Sequence, residues 1–234
     1  MGRLLTVLLI FVFSELISQN TLEEVYNHTA KVYGIDDVLV NGSKYRTLHP
    51  VAAGNPFFAN GTFSEGDISL KGRDFKVVFL KFDIEQQKVI LKVFPDSANF
   101  KVIVLNNNYI NNFTLQGKYF VNISSLLKTN SVSGFYELVY EGSFVFGRSF
   151  KKEFVANYSN NYPNGKYSKI KKASFVFRED GKHRIKKNKD LYYLFPQQKD
   201  LIKRFIKDNK IKLRKASNHK LNILMQYCDE ISTE

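Results

Sequence analysis

Residues 75–84 read F-K-V-V-F-L-K-F-D-I, and within them Val78, Leu80, Phe82 and Ile84 alternate with Phe79, Lys81 and Asp83. A period of two sends successive side chains to opposite faces, so this stretch reads as a strand with one apolar and one mixed face. Glu85, Gln86 and Gln87 supply a turn, and V-I-L-K-V over residues 89–93 reads as the return strand. Upstream, residues 67–70 lead into a Lys71-Gly72 turn, which adds a third strand to the unit.

The same grammar continues in both directions. Residues 38–40 and 44–46 flank Asn41-Gly42, a pair suited to the type I′ hairpin because both central residues there need φ > 0. Downstream, residues 100–105 form a single candidate strand. Residues 112–116 and 118–123 pair across Gly117, residues 134–140 and 143–150 across Glu141-Gly142, and residues 169–178 and 184–186 across Asp180-Gly181. Short strands with glycine turns about every ten residues, and no helices between them, predict a mainly β (α+β) chain. The expected β domain runs over residues 35–195, as an antiparallel meander closing into a barrel or a sandwich.

Both ends depart from that period. Gly2 and Arg3, the apolar run of residues 4–13 and the more polar residues 14–18 have the three-part form of a secretory leader. The run is also far short of the ~20 residues a membrane-spanning helix needs. Residues 1–18 are therefore expected to be a signal peptide, and residues 19–34 an arm or short helix opened by the T-x-x-E capping box at Thr21 to Glu24. The only Cys is Cys228, which rules out a lipid anchor at the leader, a disulfide framework and a multi-cysteine metal module. Residues 196–234 turn helical. Leu201, Ile202, Phe205 and Ile206 share one stripe, and Leu221, Leu224, Met225 and Cys228 follow i, i+3, i+4, i+7 behind a cap at Ser217 or Asn218. This pair of short amphipathic helices needs a surface to dock on. Cys228 is expected to pack there as a small apolar group.

Five segments carry a resemblance: Y-G-I-D-D-V-L-V-N-G (33–42), G-N-P-F-F (54–58), L-K-F-D-I (80–84), G-F-Y-E-L-V-Y (134–140) and F-I-K-D-N-K-I-K-L-R-K (205–215). With these the chain resembles an uncharacterised group of exported β-rich proteins from Bacteroidota, over nearly the whole of its mature length. The resemblance implies export to the periplasm, the outer membrane or the cell exterior, and implies no activity or catalytic residue. In a bacterial source the six N-x-S/T sequons are expected to occur by chance in an Asn-rich chain.

Chemistry is sparse. No G-x-S-x-G elbow, H-E-x-x-H helix, Walker loop or G-x-G-x-x-G turn occurs, so no cofactor is expected. His28, His49, His183 and His219 lie in different expected elements, and no metal site is expected from them. Asp83 and Glu85 share a strand face at a spacing a glycosidase could use, which leaves a hydrolase of envelope glycan or lipid as the alternative function. Acidic residues at strand ends more commonly serve turns, and Asp36 and Asp37 are read as structural in the same way.

Charge is the strongest signal. The chain of 234 residues carries a formal charge of +13, and residues 151–234 hold 21 Lys or Arg against 9 Asp or Glu, whereas residues 1–150 hold 14 against 13. The expected anion-binding residues are Lys169, Lys171, Lys172, Lys182, Arg184, Lys186 and Lys187 on the strands. Lys203, Arg204, Lys207, Lys210, Lys212, Arg214 and Lys215 extend them through the helices and their linker. An exported chain seldom meets nucleic acid, so the expected partner is an anionic envelope component or an envelope protein. The function expected is non-enzymatic binding or scaffolding, with no transmembrane span. The competing explanation is that these lysines solvate the outer faces of strands and helices and blunt sheet edges.

Overall fold

The computed structural model describes Leu39, residues 42–94 and residues 99–233. The expected leader, the arm, Asp36, Asp37 and most of the first strand of the Asn41 hairpin lie outside the described residues. Leu39, assigned to that strand by its sequence, is instead helical and buried. The strand after the Asn41-Gly42 turn, β1 (Ser43–Lys44), pairs with residues of a distant strand.

The alternating stretch at the centre of the sequence is β3 (Arg73–Asp83), flanked by β2 (Ser64–Leu70) and β4 (Lys88–Val93). Along β3, Phe75, Val78, Leu80 and Phe82 are buried. The strand is interrupted by a bulge, where register shifts between Gly66 and Ile68 and Val77 takes φ +53°. Asp67 holds it by accepting from the Val77 N–H at 3.1 Å and from Lys76 Nζ at 3.2 Å. Gly66 is required for another reason: a Cβ there would lie 2.0 Å from the Thr114 carbonyl oxygen of the neighbouring strand.

After β5 (Lys101–Val104) come β6 (Ile110–Leu115), β7 (Lys118–Asn122), a one-turn helix α1 (Ile123–Leu126), β8 (Phe135–Glu141) and β9 (Val145–Lys151). Two short strands, β10 (Phe154–Val155) and β11 (Lys166–Tyr167), pair separately before β12 (Lys171–Arg178) and β13 (Gly181–Ile185). The large sheet is wholly antiparallel, in the order β1-β5-β4-β3-β2-β6-β7-β8-β9-β12-β13. It is an open sheet with β1 and β13 as its ends, so the expected meander is present but is not closed into a barrel. The β5-to-β6 connection crosses β4, β3 and β2, and this crossover joins two meanders into one sheet.

The helical end holds more than the expected pair. Helix α2 (Asn188–Leu194) lies inside the stretch read as β, and α3 (Lys199–Asp208) and α4 (Asn218–Thr233) follow. Asp190 starts α2 by accepting from the N–H groups of Lys186 and Lys187 at 2.6 and 2.9 Å. Pro196 lies between α2 and α3. Ser217 caps α4, its hydroxyl accepting from the Lys220 N–H at 3.3 Å.

Two cores follow. Phe82 is 1% exposed and meets the rings of Phe113, Phe120 and Phe135 at 5.4, 5.5 and 5.7 Å, all edge-on. Such aromatic pairs add roughly 0.5–1.5 kcal/mol each beyond the burial of their area. The second core lies where α2, α3 and α4 dock on the far half of the sheet, with Leu221, Leu224, Met225 and Cys228 facing Phe144, Phe146 and Val176. The opposite face of those strands carries a smaller cluster of Tyr136, Val145 and Phe177 with Ile123 of α1.

Candidate functional site, a basic cleft under the linker before the last helix

The α3–α4 linker reads N-K-I-K-L-R-K-A-S over residues 209–217, with apolar and basic residues alternating. Ile211 and Leu213 are buried in the second core, which holds the linker down, while Lys210, Lys212, Arg214 and Lys215 are exposed. Arg214 Nε donates to the Lys186 carbonyl at 3.1 Å and so ties the linker to the end of β13.

Between this linker and strands β9, β12 and β13 lies a cleft of about 630 Å³. Half of its twelve lining residues are cationic, namely Arg148, Lys172, Arg184, Lys186, Arg214 and Lys215, and none is Asp or Glu. Strand alternation explains the arrangement. Arg148 and Ser174 are partners across β9 and β12, and Ser174 is in turn the partner of Ile185, which is buried in the helix-facing core. Arg184 is the partner of Phe175, on the other face, and borders the cleft from the β13 edge of the sheet.

Arg148 anchors the site. One guanidinium nitrogen donates to the Ala216 carbonyl at 3.0 Å and the other to Asn218 Oδ1, so the base of the linker and the first residue of α4 both hold it. Burial pushes the Arg148 pKa down, and the negative charge of Glu137 pulls the other way. Glu137 is the cross-strand partner of Arg148 and is 1% exposed. One of its carboxylate oxygens accepts from Lys118 Nζ and from Asn218 Nδ2, the latter at 2.6 Å.

Five of the fourteen expected basic residues meet at this cleft: Lys172, Arg184, Lys186, Arg214 and Lys215. The others do not join them there. Lys171 pairs with Glu153, whose carboxyl is held below its usual pKa chiefly by that hydrogen bond. Lys182 donates to the Tyr136 hydroxyl at 2.7 Å and lies 4.2 Å from the Phe175 ring centre. Lys169, Lys187, Lys203, Arg204, Lys207, Lys210 and Lys212 are exposed elsewhere. Sequence reasoning missed Arg148, although an Arg between Phe146 and Phe150 on one face of a strand was a usable signal.

The carboxylate pair is placed differently. Asp83 is fully buried and accepts from the Tyr45 hydroxyl, from the N–H groups of Glu85 and Gln86 and from Gln86 Nε2, all between 2.8 and 3.0 Å. Its carboxylate is thus spent on the β3–β4 turn. Glu85 accepts from the Tyr167 hydroxyl at 2.8 Å, and burial followed by that bond raises the Tyr167 pKa to about 12. His49 stacks on Phe154 with ring centres 3.6 Å apart and approaches Glu85 at 3.8 Å, while His183 lies 2.9 Å from Asp180. Among the described residues, no group of three or more His, Cys, Asp or Glu is placed to hold a metal ion. Among the same residues, no helix is long and apolar enough to cross a membrane.

Cys228 is fully buried against the sheet, and burial with the adjacent Asp229 pushes its thiol up to about 12. The thiolate is the reactive form, so this cysteine is a packing residue. Fold and site together define an open antiparallel sheet with a helical cover and a cationic cleft where the two meet. No family model, curated protein or solved structure matches the chain.

Proposed function

We propose that the protein is an exported, non-enzymatic envelope protein that binds an anionic surface or envelope partner through its basic C-terminal third. The observation that carries this reading is the cleft, where six cations converge with no carboxylate among the lining residues. Some exposed lysines elsewhere do have a carboxylate beside them, as Lys171 has Glu153 and Lys76 has Asp67. A merely solvated surface has no need to gather like charges around one concavity, because their mutual repulsion destabilises the compact state. Export rests on the leader expected over residues 1–18 and on the resemblance to exported Bacteroidota proteins.

The test is binding of the purified chain to anionic vesicles, lipopolysaccharide and membrane extracts at low and physiological salt. Affinity that falls steeply as salt rises supports the reading, since exposed charge pairs are screened within about 10 Å at 0.1 M. A chain that binds none of these at low salt refutes it.

A further inference from the structure

The proposed function leaves open whether the basic third acts as a diffuse charged surface or as a site with a shape. The cleft has the attributes of a site. Its volume of about 630 Å³ falls within the ~300–1,000 Å³ of small-molecule pockets. Two of the five N–H donors of Arg148 are committed to Ala216 and Asn218, which fixes the guanidinium at the cleft before any ligand arrives. Arg214 is fixed in the same way by its bond to the Lys186 carbonyl. Preset guanidinium forks recognise planar or tetrahedral oxyanions through paired hydrogen bonds, whereas a lysine acts as a point charge. The cleft supplies both kinds, three arginines and three lysines, together with Ser174 as a neutral lining residue. The N-terminus of α4, a helix of sixteen residues, begins two residues beyond Ala216 in the cleft wall, and its dipole adds partial positive charge there.

The number of charges selects the ligand. One phosphoryl group carries about −1.5 to −2 at neutral pH, so a single phosphate leaves most of six cations unbalanced, two offset roughly half or more of them and three approach balance. A neutral glycan offers nothing to offset their repulsion, and a lone carboxylate offers less charge than one phosphate.

On this basis, and resting on the anion-binding reading above, we propose that the cleft is a discrete site for a compact ligand bearing two or more phosphoryl groups. Arg148 and Arg214 are its fixed anchors, Lys172, Lys186 and Lys215 its walls and Arg184 its rim. The polyphosphorylated group belongs either to a lipid headgroup or to a soluble phosphate ester.

The experiment is calorimetric titration of the full chain with inorganic pyrophosphate and tripolyphosphate, against orthophosphate, at physiological salt. The expected result is saturable binding of one ligand per chain, with tripolyphosphate at least about tenfold tighter than orthophosphate. The double variant Lys172→Gln, Lys215→Gln should lose about tenfold or more in affinity while keeping its circular dichroism spectrum. The double variant Lys203→Gln, Lys207→Gln, on the exposed face of α3, should leave affinity unchanged. Vesicles bearing diphosphoryl lipid A, whose headgroup carries two phosphates, separate the two sources: displacement of bound chain by pyrophosphate places a headgroup in the cleft, and saturable pyrophosphate binding without displacement assigns it to a soluble ligand. Equal affinities for orthophosphate and tripolyphosphate, or equal losses from the cleft and α3 variants, overturn the proposal. If the chain binds anionic vesicles in a salt-sensitive way and no phosphate saturably, the discrete site fails and the charged-surface reading stands. If it binds neither, both fail.

Discussion

Asp229 joins the helical cover to the sheet, and replacing it tests how the half of the molecule that carries the cleft is held together. It lies on α4, and its carboxylate accepts from the Tyr140 hydroxyl, the Ser143 hydroxyl and the Ser143 N–H, the last at 2.9 Å. All three donors belong to the β8–β9 hairpin. A net hydrogen bond to a charged group is worth roughly 1.5–3 kcal/mol, and a donor left unpaired in a buried place costs about 1–3. Asp229 is 9% exposed, so water replaces part of what is lost. The expected destabilisation for Asp229→Ala is about 3 kcal/mol at pH 7, read by urea denaturation. Burial acts to raise the Asp229 pKa, but the hydroxyls of Ser143 and Tyr140 and the Ser143 N–H outweigh it and hold it below its ordinary 3.8. A depressed carboxylate stabilises the fold in full above its unfolded value and loses that contribution as the pH falls through its folded value. The gap between the native chain and the variant must therefore shrink below about pH 4. A loss under about 1 kcal/mol at pH 7, or an undiminished gap at pH 2.5, refutes this account of the contact.

Two further outcomes check the packing. Gly66→Ala would bring a Cβ to 2.0 Å from the Thr114 carbonyl oxygen, so β2 and β6 must separate; an expected loss of about 1–3 kcal/mol in thermal or urea unfolding checks this, and an unchanged midpoint refutes the close approach. Cys228, with its thiol raised to about 12 and no exposure, should resist a thiol reagent in native buffer at pH 8 and react once in strong denaturant, whereas labelling of the native chain within minutes would contradict its placement.

Much of the sheet was legible because alternation is a local signal. Each of the hairpins centred on Gly72, Gly117, Glu141-Gly142 and Asp180-Gly181 forms as the sequence implies. The i, i+3, i+4, i+7 stripe from Leu221 to Cys228 is fully buried. Closure was not legible, because period-two patterning specifies faces and neighbours but not whether the end strands meet, and here β1 and β13 remain ends. Helix α2 was missed because N-K-D-L-Y-Y-L is short, and its start is set by Asp190 reaching back to the N–H groups of Lys186 and Lys187. The cleft was only half legible. Its lysines stood out as a charge run, but their convergence with Arg148 depends on the pairing of β9 with β12, which joins residues some 25 positions apart.

The placement of acids distinguishes the cleft from those parts of the surface where a lysine has a carboxylate beside it. Several lysines have a carboxylate beside them, Glu137 for Lys118, Glu153 for Lys151 and Lys171, Asp67 for Lys76, whereas the buried Lys152 is held by the carbonyl and side-chain oxygens of Asn55. Glu137 is also the buried cross-strand partner of Arg148 on β8, where its charge acts against the burial that lowers the Arg148 pKa. The carboxylate therefore lies beside the anchor within the sheet, and the cleft itself is lined by six cations and six uncharged residues, with no acid among them. Asp190, the nearest acid in sequence to Lys186, is turned to the backbone N–H groups that begin α2. Repulsion in such a cleft is offset internally by burial of Ile211 and Leu213 beneath the linker, which holds Arg214 and Lys215 in place without neutralising them. An anion arriving from outside is a group that can complete the charge balance, and for that reason the proposed anion binding rests on the cleft rather than on the total charge.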